Sequence, residues 1–326
     1  MLSKRERLPL DGIFLLDKPV GITSNQALQQ VKYLLKAKKA GHTGSLDPLA
    51  SGVLPLCFGQ ATKFAKYLLG ADKSYLVTAK FGATTDTGDA DGEVVLRRPV
   101  PELTTEVWAQ MAAKFLGPMQ QVPPMYSAIK RNGVPMYKLA RQGKTVELEG
   151  RAVNIQDLQL VSIGSADSRD SITFMVKCSK GTYVRSLVVD MGEYLHCGAH
   201  VTALRRLQSG PYAIEQTITL QALQQQLASC PVDQVQQLLL PVDTVFATWP
   251  RIGLLPAEET VFLHGQTALM PSVLRFVSAQ NFVITTLPVV LQTSTAKVLG
   301  VAEVDSSGKI NDRILLCRGL LSGGNI

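Results

Sequence analysis

The sequence predicts a chain that combines strands and helices in one large domain, followed by a small β-rich domain. Its 326 residues exceed the usual size of a single domain. Short apolar runs alternate with segments of helical periodicity over the first part. After Pro241, prolines and glycines separate shorter apolar runs. We therefore expect an α+β chain with a large domain over 1–246 and a small one over 247–326.

The elements of the large domain follow from periodicity and capping residues. Residues 13–16 form an apolar strand candidate, and the periodic segment after it predicts a helix capped by Thr23 or Ser24. An amphipathic helix is expected over 104–116, with Thr104 as its cap. The other candidates are helices over 61–69, from Tyr183 onward and over 220–240, and strands over 74–81, 153–161 and 172–178.

The small domain is predicted from the alternating pattern of residues 298–316. Apolar and polar residues alternate there on either side of the turn-forming run 305–308. This pattern is typical of paired strands. The composition of the domain does not indicate its role.

Bulk composition excludes several classes of protein. No apolar run approaches the length needed to span a bilayer, and the apolar stretch 12–16 behind the basic N-terminus is too short for a signal peptide. The five cysteines are odd in number and dispersed, which favours free thiols in a reducing compartment. His196, Cys197 and His200 lack a distant second pair of ligands, so we expect no metal site. A cytoplasmic location is expected.

A basic segment over 123–144 points to a nucleic acid. The formal net charge of the chain is +7, and this segment contains no acidic residue. Its basic and tyrosine residues are Lys130, Arg131, Lys138, Arg141, Lys144, Tyr126 and Tyr137. We expect a protruding arm that binds nucleic acid here, and the alternative is an ordinary solvated loop.

The acidic run TDTGDADGE, residues 85–93, superficially resembles a calcium-binding loop. Placing Asp89, Asp91 and Gly92 at the third, fifth and sixth loop positions puts Thr87 at the first and Arg98 at the twelfth. Neither residue suits a calcium ligand at those positions. The sequence therefore predicts no cation site in this loop.

The segment GHTGSLDPLASGVLP, residues 41–55, presents a single carboxylate, Asp47. Pro48 fixes its own φ and favours extended geometry at Asp47, while Gly44 and Gly52 permit close backbone approaches. A lone carboxylate on such a rigid turn suggests a role in chemistry. The alternative is that Asp47 only caps a turn, because Asp before Pro is a common turn pair.

Four short motifs together resemble one family. They are the Asp47 segment, KSY at 73–75, GTYVRSL at 181–187 and LRRL at 204–207. In order and spacing they are similar to the motifs of the TruB-type tRNA pseudouridine-55 synthases, and the likeness covers nearly the whole chain. The resemblance implies a pseudouridine synthase fold with a mixed, mostly antiparallel sheet flanked by helices. It also implies a small C-terminal PUA-like barrel and an inserted arm at 123–144.

The resemblance assigns roles to three catalytic positions. Asp47 matches the family's essential aspartate, which acts either as nucleophile on the ribose or as a base. Arg185 matches the arginine that pairs with this aspartate, although spacing alone cannot place the two in contact. Tyr75 matches the tyrosine that stacks on the base.

Further positions match substrate contacts of the family. They are His42 against the RNA loop, Tyr183 and Leu204 as further substrate contacts, and Lys18 and Lys63 for phosphate contact or support of the fold. By itself LRRL also fits a helix with one apolar face. Without the resemblance, Tyr75 would be an ordinary core residue.

The implied activity is the isomerisation of uridine 55 in the T loop of tRNA, without a cofactor. The implied partner is the T arm and T loop, and we expect a monomer with no obligatory protein partner. One alternative is an RNA-binding or RNA-folding module in which catalysis is dispensable. Another is a related synthase that acts on ribosomal RNA.

Overall fold

The computed structural model of the protein describes residues 7–127, 129–131, 133–140, 142–143, 146, 148–165, 168–229, 231–264, 266, 270–279, 286–310 and 315–316. Its helices are α1 (Ser24–Leu34), α2 (Ala65–Leu69), α3 (Thr105–Phe115), α4 (Met136–Ala140), α5 (Val184–Tyr194), α6 (Leu220–Ser229), α7 (Pro256–Leu263) and α8 (Pro271–Ser278). Shorter 3-10 helices span Gly59–Phe64, Ile214–Gln216, Val232–Leu238 and Val242–Phe246.

The strands belong to one large sheet, one small sheet and two hairpins. They are β1 (Gly12–Lys18), β2 (Ala40–His42), β3 (Ala50–Phe58), β4 (Lys73–Phe81), β5 (Ala83–Thr85), β6 (Val94–Arg97), β7 (Gly117–Gln121), β8 (Lys130–Arg131), β9 (Val134–Pro135), β10 (Arg151–Ser165), β11 (Ser168–Cys178), β12 (Ala199–Ser209), β13 (Tyr212–Ala213), β14 (Ile218–Thr219), β15 (Arg251–Gly253), β16 (Thr286–Gln292), β17 (Val298–Asp305) and β18 (Leu315–Leu316).

The large sheet is mixed and mostly antiparallel. Its strand order is β14-β1-β3-β12-β4-β11-β10-β7, with β2 paired to β3 and β13 to β12. Only β1 with β14 and β12 with β3 run parallel among the described pairs of this sheet. The expected mixed, mostly antiparallel sheet flanked by helices is confirmed.

The two faces of the sheet are covered by different elements. Helices α1, α3 and α5 bury one face, as shown by Val31, Met111 and Leu187, each without solvent exposure. On the other face, Val53 of β3 packs in a cluster with Phe246 and residues of the small sheet. Burying both faces is the main favourable contribution to the stability of such a layered chain.

The small sheet has the order β15-β16-β17-β18. It carries its own apolar cluster, which includes Phe262 of α7 and Val273 of α8. The expected paired strands over 298–316 are confirmed as the antiparallel pair β17 and β18. The region also contains two helices, because Pro256 and Pro271 each stand at the start of a helix, where a missing N–H costs nothing.

Most predicted elements are confirmed, and two differ in form. The helix expected over 61–69 is a 3-10 helix followed by α2, and that expected over 220–240 is α6 followed by the 3-10 helix Val232–Leu238. LRRL, which by itself also fits a helix, lies in strand β12. Thr23 caps α1 through a capping box with Gln26, and Thr104 caps α3.

The arm over 123–144 contains the hairpin β8–β9 and helix α4. Of its five predicted cationic side chains, that of Lys138 is described and is exposed. Those of Lys130, Arg131, Arg141 and Lys144 lie outside the described residues. Within the described ranges, none of the helices has the length and apolar character needed to cross a membrane.

Candidate active site

The loop that carries Asp47 is fixed by the start of helix α1. The Ser24 hydroxyl donates to the Leu46 carbonyl at 3.0 Å and accepts from the Leu46 N–H at 2.7 Å. The Gly21 N–H donates to the Pro48 carbonyl at 2.8 Å, and the Ala50 N–H closes the turn on the Asp47 carbonyl at 3.0 Å. The turn is therefore closed by backbone atoms, which leaves the Asp47 carboxylate available.

Three adjacent strands bring the other motifs to this loop. Strand β3 begins at Ala50, directly after the loop, and Ala50 lies beside Leu204 of β12. In the same way, Tyr75 of β4 lies opposite Arg206 of β12. Gly52 allows β3 and β12 to approach, because a Cβ there would lie 2.2 Å from the Arg206 carbonyl oxygen.

Asp47 and Arg185 form an ion pair across the site. Asp47 Oδ2 lies 2.9 Å from Arg185 Nε. The Arg185 side chain is 5% exposed to solvent, whereas the Asp47 side chain is 40% exposed. The buried cation on the first turn of α5 is therefore fixed, and the carboxylate faces the space that a substrate would enter.

Arg185 is itself held by the acidic loop and by the base of the arm. Its Nη1 donates to the Thr87 carbonyl at 2.7 Å and lies 3.5 Å from Asp89 Oδ2. Its Nη2 donates to the Tyr126 carbonyl at 2.7 Å. The loop that resembles a calcium site thus holds an arginine, with Asp89 as the buried counter-charge.

The ionisation of Asp47 reflects opposing effects. Burial raises the pKa of Asp47 above its ordinary value, and the Asp89 charge adds to the rise. The Arg185 guanidinium opposes both, by charge and by hydrogen bonding, and Lys18 contributes in the same direction. The net shift is upward, so the carboxylate is more basic than an ordinary surface aspartate.

These residues line one cavity of about 340 Å³. Five of the positions predicted from sequence line it, namely Asp47, Tyr75, Tyr183, Arg185 and Leu204. Burial raises the pKa of Tyr75 and of Tyr183, so both phenols stay neutral at physiological pH. The cavity is within the size range of small-molecule sites and has room for a single base.

The remaining three predicted residues lie outside this lining. Lys18 is fully buried and donates from Nζ to the carbonyls of Pro19 at 2.8 Å and Ile22 at 2.6 Å. This placement fits support of the fold rather than phosphate contact. His42, on β2, has a buried Nδ1 without a hydrogen-bond partner in the described part of the chain. Lys63 is exposed in the 3-10 helix before α2.

Two protein-family models match consecutive parts of the chain. The model of the TruB family pseudouridylate synthase N-terminal domain matches residues 32–184, and that of the tRNA pseudouridylate synthase B C-terminal domain matches residues 185–247. The chain belongs to the TruB family of pseudouridylate synthases.

Curated relatives of this TruB-family chain match over nearly their whole length. Proteins named tRNA pseudouridine synthase B from Pseudomonas putida (strain F1) and Pseudomonas aeruginosa (strain UCBPP-PA14) are each 47% identical to it over 313 residues. Each match covers 96% of this chain and 98% of the relative.

Solved structures show the same fold. A chain of the crystal structure of a Cbf5-Nop10-Gar1 complex matches with a TM-score of 0.70 at 23% identity, covering 96% of this chain and 91% of that one. A chain of an H/ACA RNP bound to a substrate RNA containing 2'-deoxyuridine matches with a TM-score of 0.65 at 20% identity, covering 99% and 89%. The expected pseudouridine synthase fold is thereby confirmed for this member of the TruB family.

Sequence reasoning missed three residues that shape this TruB-family site: Ser24, Asp89 and Arg206. Ser24 was considered only as a helix cap, although it holds the Asp47 loop. Asp89 was dismissed together with the calcium pattern. Its carboxylate accepts from the Thr87 hydroxyl at 2.6 Å and faces Arg185. The signal available in the sequence was an acidic run that does not fit a metal-binding loop.

The site offers a carboxylate, a fixed cation and two neutral phenols, and no group of metal ligands. In the described part of the chain, no three His, Cys, Asp or Glu side chains are placed to hold a metal ion. His200, one of the residues considered for metal, has its Nδ1 2.9 Å from the Ala83 carbonyl. This set suits attack on carbon or removal of a proton by Asp47.

Proposed function

We propose that the chain isomerises uridine 55 in the T loop of tRNA to pseudouridine, with Asp47 as the essential carboxylate. The observation that carries the proposal is the Asp47–Arg185 pair, 2.9 Å apart, at a cavity of about 340 Å³. Family membership and relatives named tRNA pseudouridine synthase B support the substrate class. The enzyme would be an isomerase that requires no cofactor.

In the proposed reaction, Asp47 either adds to the anomeric carbon of the ribose and displaces uracil at N1, or removes a ribose proton so that the same glycosidic bond breaks. The freed uracil then turns and rejoins the anomeric carbon through C5; the C5 proton is lost, N1 gains a proton and Asp47 is released. Both roles require the ionised carboxylate, and Arg185 favours that form inside the cavity. The guanidinium is 5% exposed, so water screens its charge only weakly. Its geometry is fixed before substrate arrives, which avoids reorganisation during the reaction.

The target base must leave its stack before its glycosidic bond can reach Asp47. Unstacking costs a few kcal/mol, and stacking on an aromatic side chain returns about 1–3 kcal/mol per base. We assign this role to Tyr75, which is 8% exposed at the cavity wall. Leu204 and Tyr183 would contact the base from the adjoining elements β12 and the start of α5.

RNA would be held by parts of the chain outside the cavity. We assign the arm over 123–144 to the T arm, His42 to the RNA loop, and Lys63 to phosphate contact. We further propose that residues 247–326 form a PUA-like RNA-binding domain beside a catalytic domain of residues 1–246. The enzyme would act as a monomer in the cytoplasm, where tRNA is found, without an obligatory protein partner.

The proposal is tested by incubating the purified chain with unmodified tRNA and quantifying pseudouridine at position 55. Product is expected without added cofactor, and a tRNA in which cytidine replaces uridine 55 serves as the control. A chain that binds tRNA but forms no pseudouridine would contradict the proposed reaction. Product at another uridine only would retain the reaction and overturn the assigned position.

The role of Asp47 is tested by the substitution Asp47→Asn. Product formation should fall by about a thousandfold or more, because an amide is neither nucleophile nor base. Binding of tRNA should remain, since the amide keeps the shape of the carboxylate. Turnover that survives the substitution would remove Asp47 from its role. An otherwise normal strain carrying this variant would favour the RNA-folding alternative.

A further inference from the structure

Two adjacent arginines of strand β12 have opposite surroundings. Arg205 forms an ion pair with Asp17, with Nη2 2.7 Å from Oδ2, and its side chain is 39% exposed. Arg206 is 1% exposed and lines the same cavity as Asp47. Successive residues of a strand point to opposite faces, so only Arg206 belongs to the face of Tyr75 and Leu204.

The hydrogen-bonding capacity of Arg206 is incompletely used. Its Nε donates to the Val53 carbonyl at 2.6 Å. Its Nη2 is buried and has no hydrogen-bond partner within the described part of the chain. A buried donor without a partner is costly, and more so when the group is charged. Such an atom beside a substrate cavity indicates a partner that arrives with the substrate.

The charge of Arg206 is uncompensated as well. None of the ion pairs found among the described residues involves it. The two carboxylates of the site, Asp47 and Asp89, both pair with Arg185 and not with Arg206. Burial lowers the pKa values of Lys18 and His42, and the nearby charge of Arg206 lowers both further.

Lys73 adds another cation on the same side. It is 8% exposed and donates from Nζ to the carbonyls of Leu68 at 3.1 Å and Leu69 at 3.0 Å. Burial lowers the pKa of Lys73 to about 8, and the Arg206 charge contributes to the shift. The Tyr75 hydroxyl, which is neutral, hydrogen-bonds to the guanidinium. Asp47 lines the same cavity but is paired with Arg185, so none of the ion pairs among the described residues balances the charge of Arg206.

We propose that Arg206 is a substrate-binding residue that donates a charge-assisted hydrogen bond to a phosphodiester oxygen of the RNA, next to the nucleotide in the cavity. The inference rests on the proposed function, because it takes RNA as the ligand. Phosphate is the acceptor that both satisfies Nη2 and compensates the charge. A carbonyl oxygen of the base would satisfy the hydrogen bond and leave the charge unbalanced.

The Asp47 loop adjoins the guanidinium of Arg206. A Cβ on Gly44 would lie 3.7 Å from Arg206 Nη1. Gly44 itself has φ of +92°, a conformation that favours glycine. Nη2 is buried in the free chain, so a phosphate reaches it only when the cavity lining around this atom opens.

The first experiment compares Arg206→Gln and Arg206→Lys with the control Arg205→Gln. Dissociation constants are measured for a T-stem-loop RNA, with thermal unfolding of each variant in parallel. Arg206→Gln is expected to weaken binding about tenfold to a hundredfold, the usual value of a hydrogen bond between charged groups. Arg206→Lys should recover part of the loss, and Arg205→Gln should change binding less than threefold. Equal losses at both positions would overturn the proposal.

The second experiment identifies the acceptor and does not depend on any variant being stable. Neutral methylphosphonates replace, one at a time, the phosphates flanking the target uridine. One replacement should weaken binding by the wild-type chain about tenfold, and Arg206→Gln should show almost no further loss with that RNA. Additive losses at every linkage overturn the proposal. Non-additive losses with 2-thiouridine or 4-thiouridine at the target position would assign Arg206 to a base carbonyl instead, which also overturns it.

The two proposals fail in different ways. If the wild-type chain forms no pseudouridine, the proposed function fails, while the binding measurements still decide whether Arg206 contacts phosphate. If pseudouridine forms and binding is insensitive to both Arg206 and the phosphates, only the present inference fails.

Discussion

At the scale of single residues, Asp47 takes its chemical character from two partners of opposite sign. Arg185 lies 2.9 Å from its carboxylate and favours the ionised form. Asp89 acts through space in the opposite direction, while also helping to hold Arg185 at 3.5 Å. One buried carboxylate therefore positions the cation and raises the basicity of Asp47.

This dual role predicts the behaviour of Asp89→Asn. Removal of the Asp89 charge lowers the pKa of Asp47, because that charge contributes to its rise. Activity is lost as pH falls through the pKa of Asp47, so the acidic limb of kcat/KM against pH should move to lower pH. The plateau should fall about tenfold, since Arg185 loses a partner that positions it.

The control is Asp91→Asn, which alters an exposed carboxylate of the same loop. It should leave both the limb and the plateau in place. A limb that moves to higher pH in Asp89→Asn, or one that moves equally in both variants, would contradict the assigned role of Asp89.

At the scale of elements, the site depends on the close approach of β3 and β12. Gly52 has φ of +103°, and a Cβ there would lie 2.2 Å from the Arg206 carbonyl oxygen and 2.8 Å from its nitrogen. Backbone atoms cannot move aside as a flexible side chain can. The parallel pair that carries Leu204 and Arg206 beside the Asp47 loop therefore requires glycine at this position.

Gly52→Ala should lower the free energy of unfolding by about 2–5 kcal/mol, the sum of backbone strain and overpacking. Gly117→Ala is the matched control, because Gly117 has φ of +97° and open space around its Cβ position. It should cost about 1–2 kcal/mol from strain alone. Denaturant unfolding of the two variants measures the difference, and equal losses would show that the strand approach contributes nothing.

The elements also show which parts of the fold the sequence predicts. Capping residues and periodicity located the start of α1 and both ends of α3 to within one or two residues, and α5 begins directly after Tyr183, where a helix start was expected. LRRL could not be placed, because two apolar residues three apart fit a helix as well as a strand. Its pairing with β3 and β4 is a tertiary property that no local pattern encodes.

The candidate site followed from sequence only in part, for the same reason. Asp47 stood out because it lies between glycines and before a proline. Its contact with Arg185 joins residues far apart in the chain and was expected only from the family resemblance. Ser24 acts through hydrogen bonds to Leu46, and Asp89 acts through its charge beside Arg185. Contacts of this kind, between residues far apart in the chain, leave no periodic signal in the sequence.

At the scale of the whole molecule, one apolar cluster joins the two sheets. Phe246 is fully buried and lies 5.4 Å from Phe64 and 4.9 Å from Trp249, between ring centroids. Val290 of β16 and Val301 of β17 belong to the same cluster as Val53 of β3. The small sheet therefore contributes to the packing of the large one.

This shared cluster predicts a single cooperative unfolding transition. The two tryptophans report on different places, since Trp108 packs on Phe174 in the large core and Trp249 packs at the junction. In the variants Trp249→Phe and Trp108→Phe, the remaining fluorescence should follow the same denaturant curve. Phe246→Ala, introduced into each, should lower both curves together by about 3–5 kcal/mol. Separate midpoints would show two independently folding units.

The contacts that hold Arg185 have a consequence for tolerance to substitution. Two of its partners, Thr87 and Tyr126, contribute main-chain carbonyls, which every amino acid supplies. The Tyr126 side chain is therefore free to vary without removing this carbonyl, whereas the Thr87 hydroxyl also donates to Asp89, which holds the arginine. A single-residue insertion or deletion in either segment would displace the carbonyl. The number of residues in these two segments is therefore more tightly constrained than their amino-acid sequence.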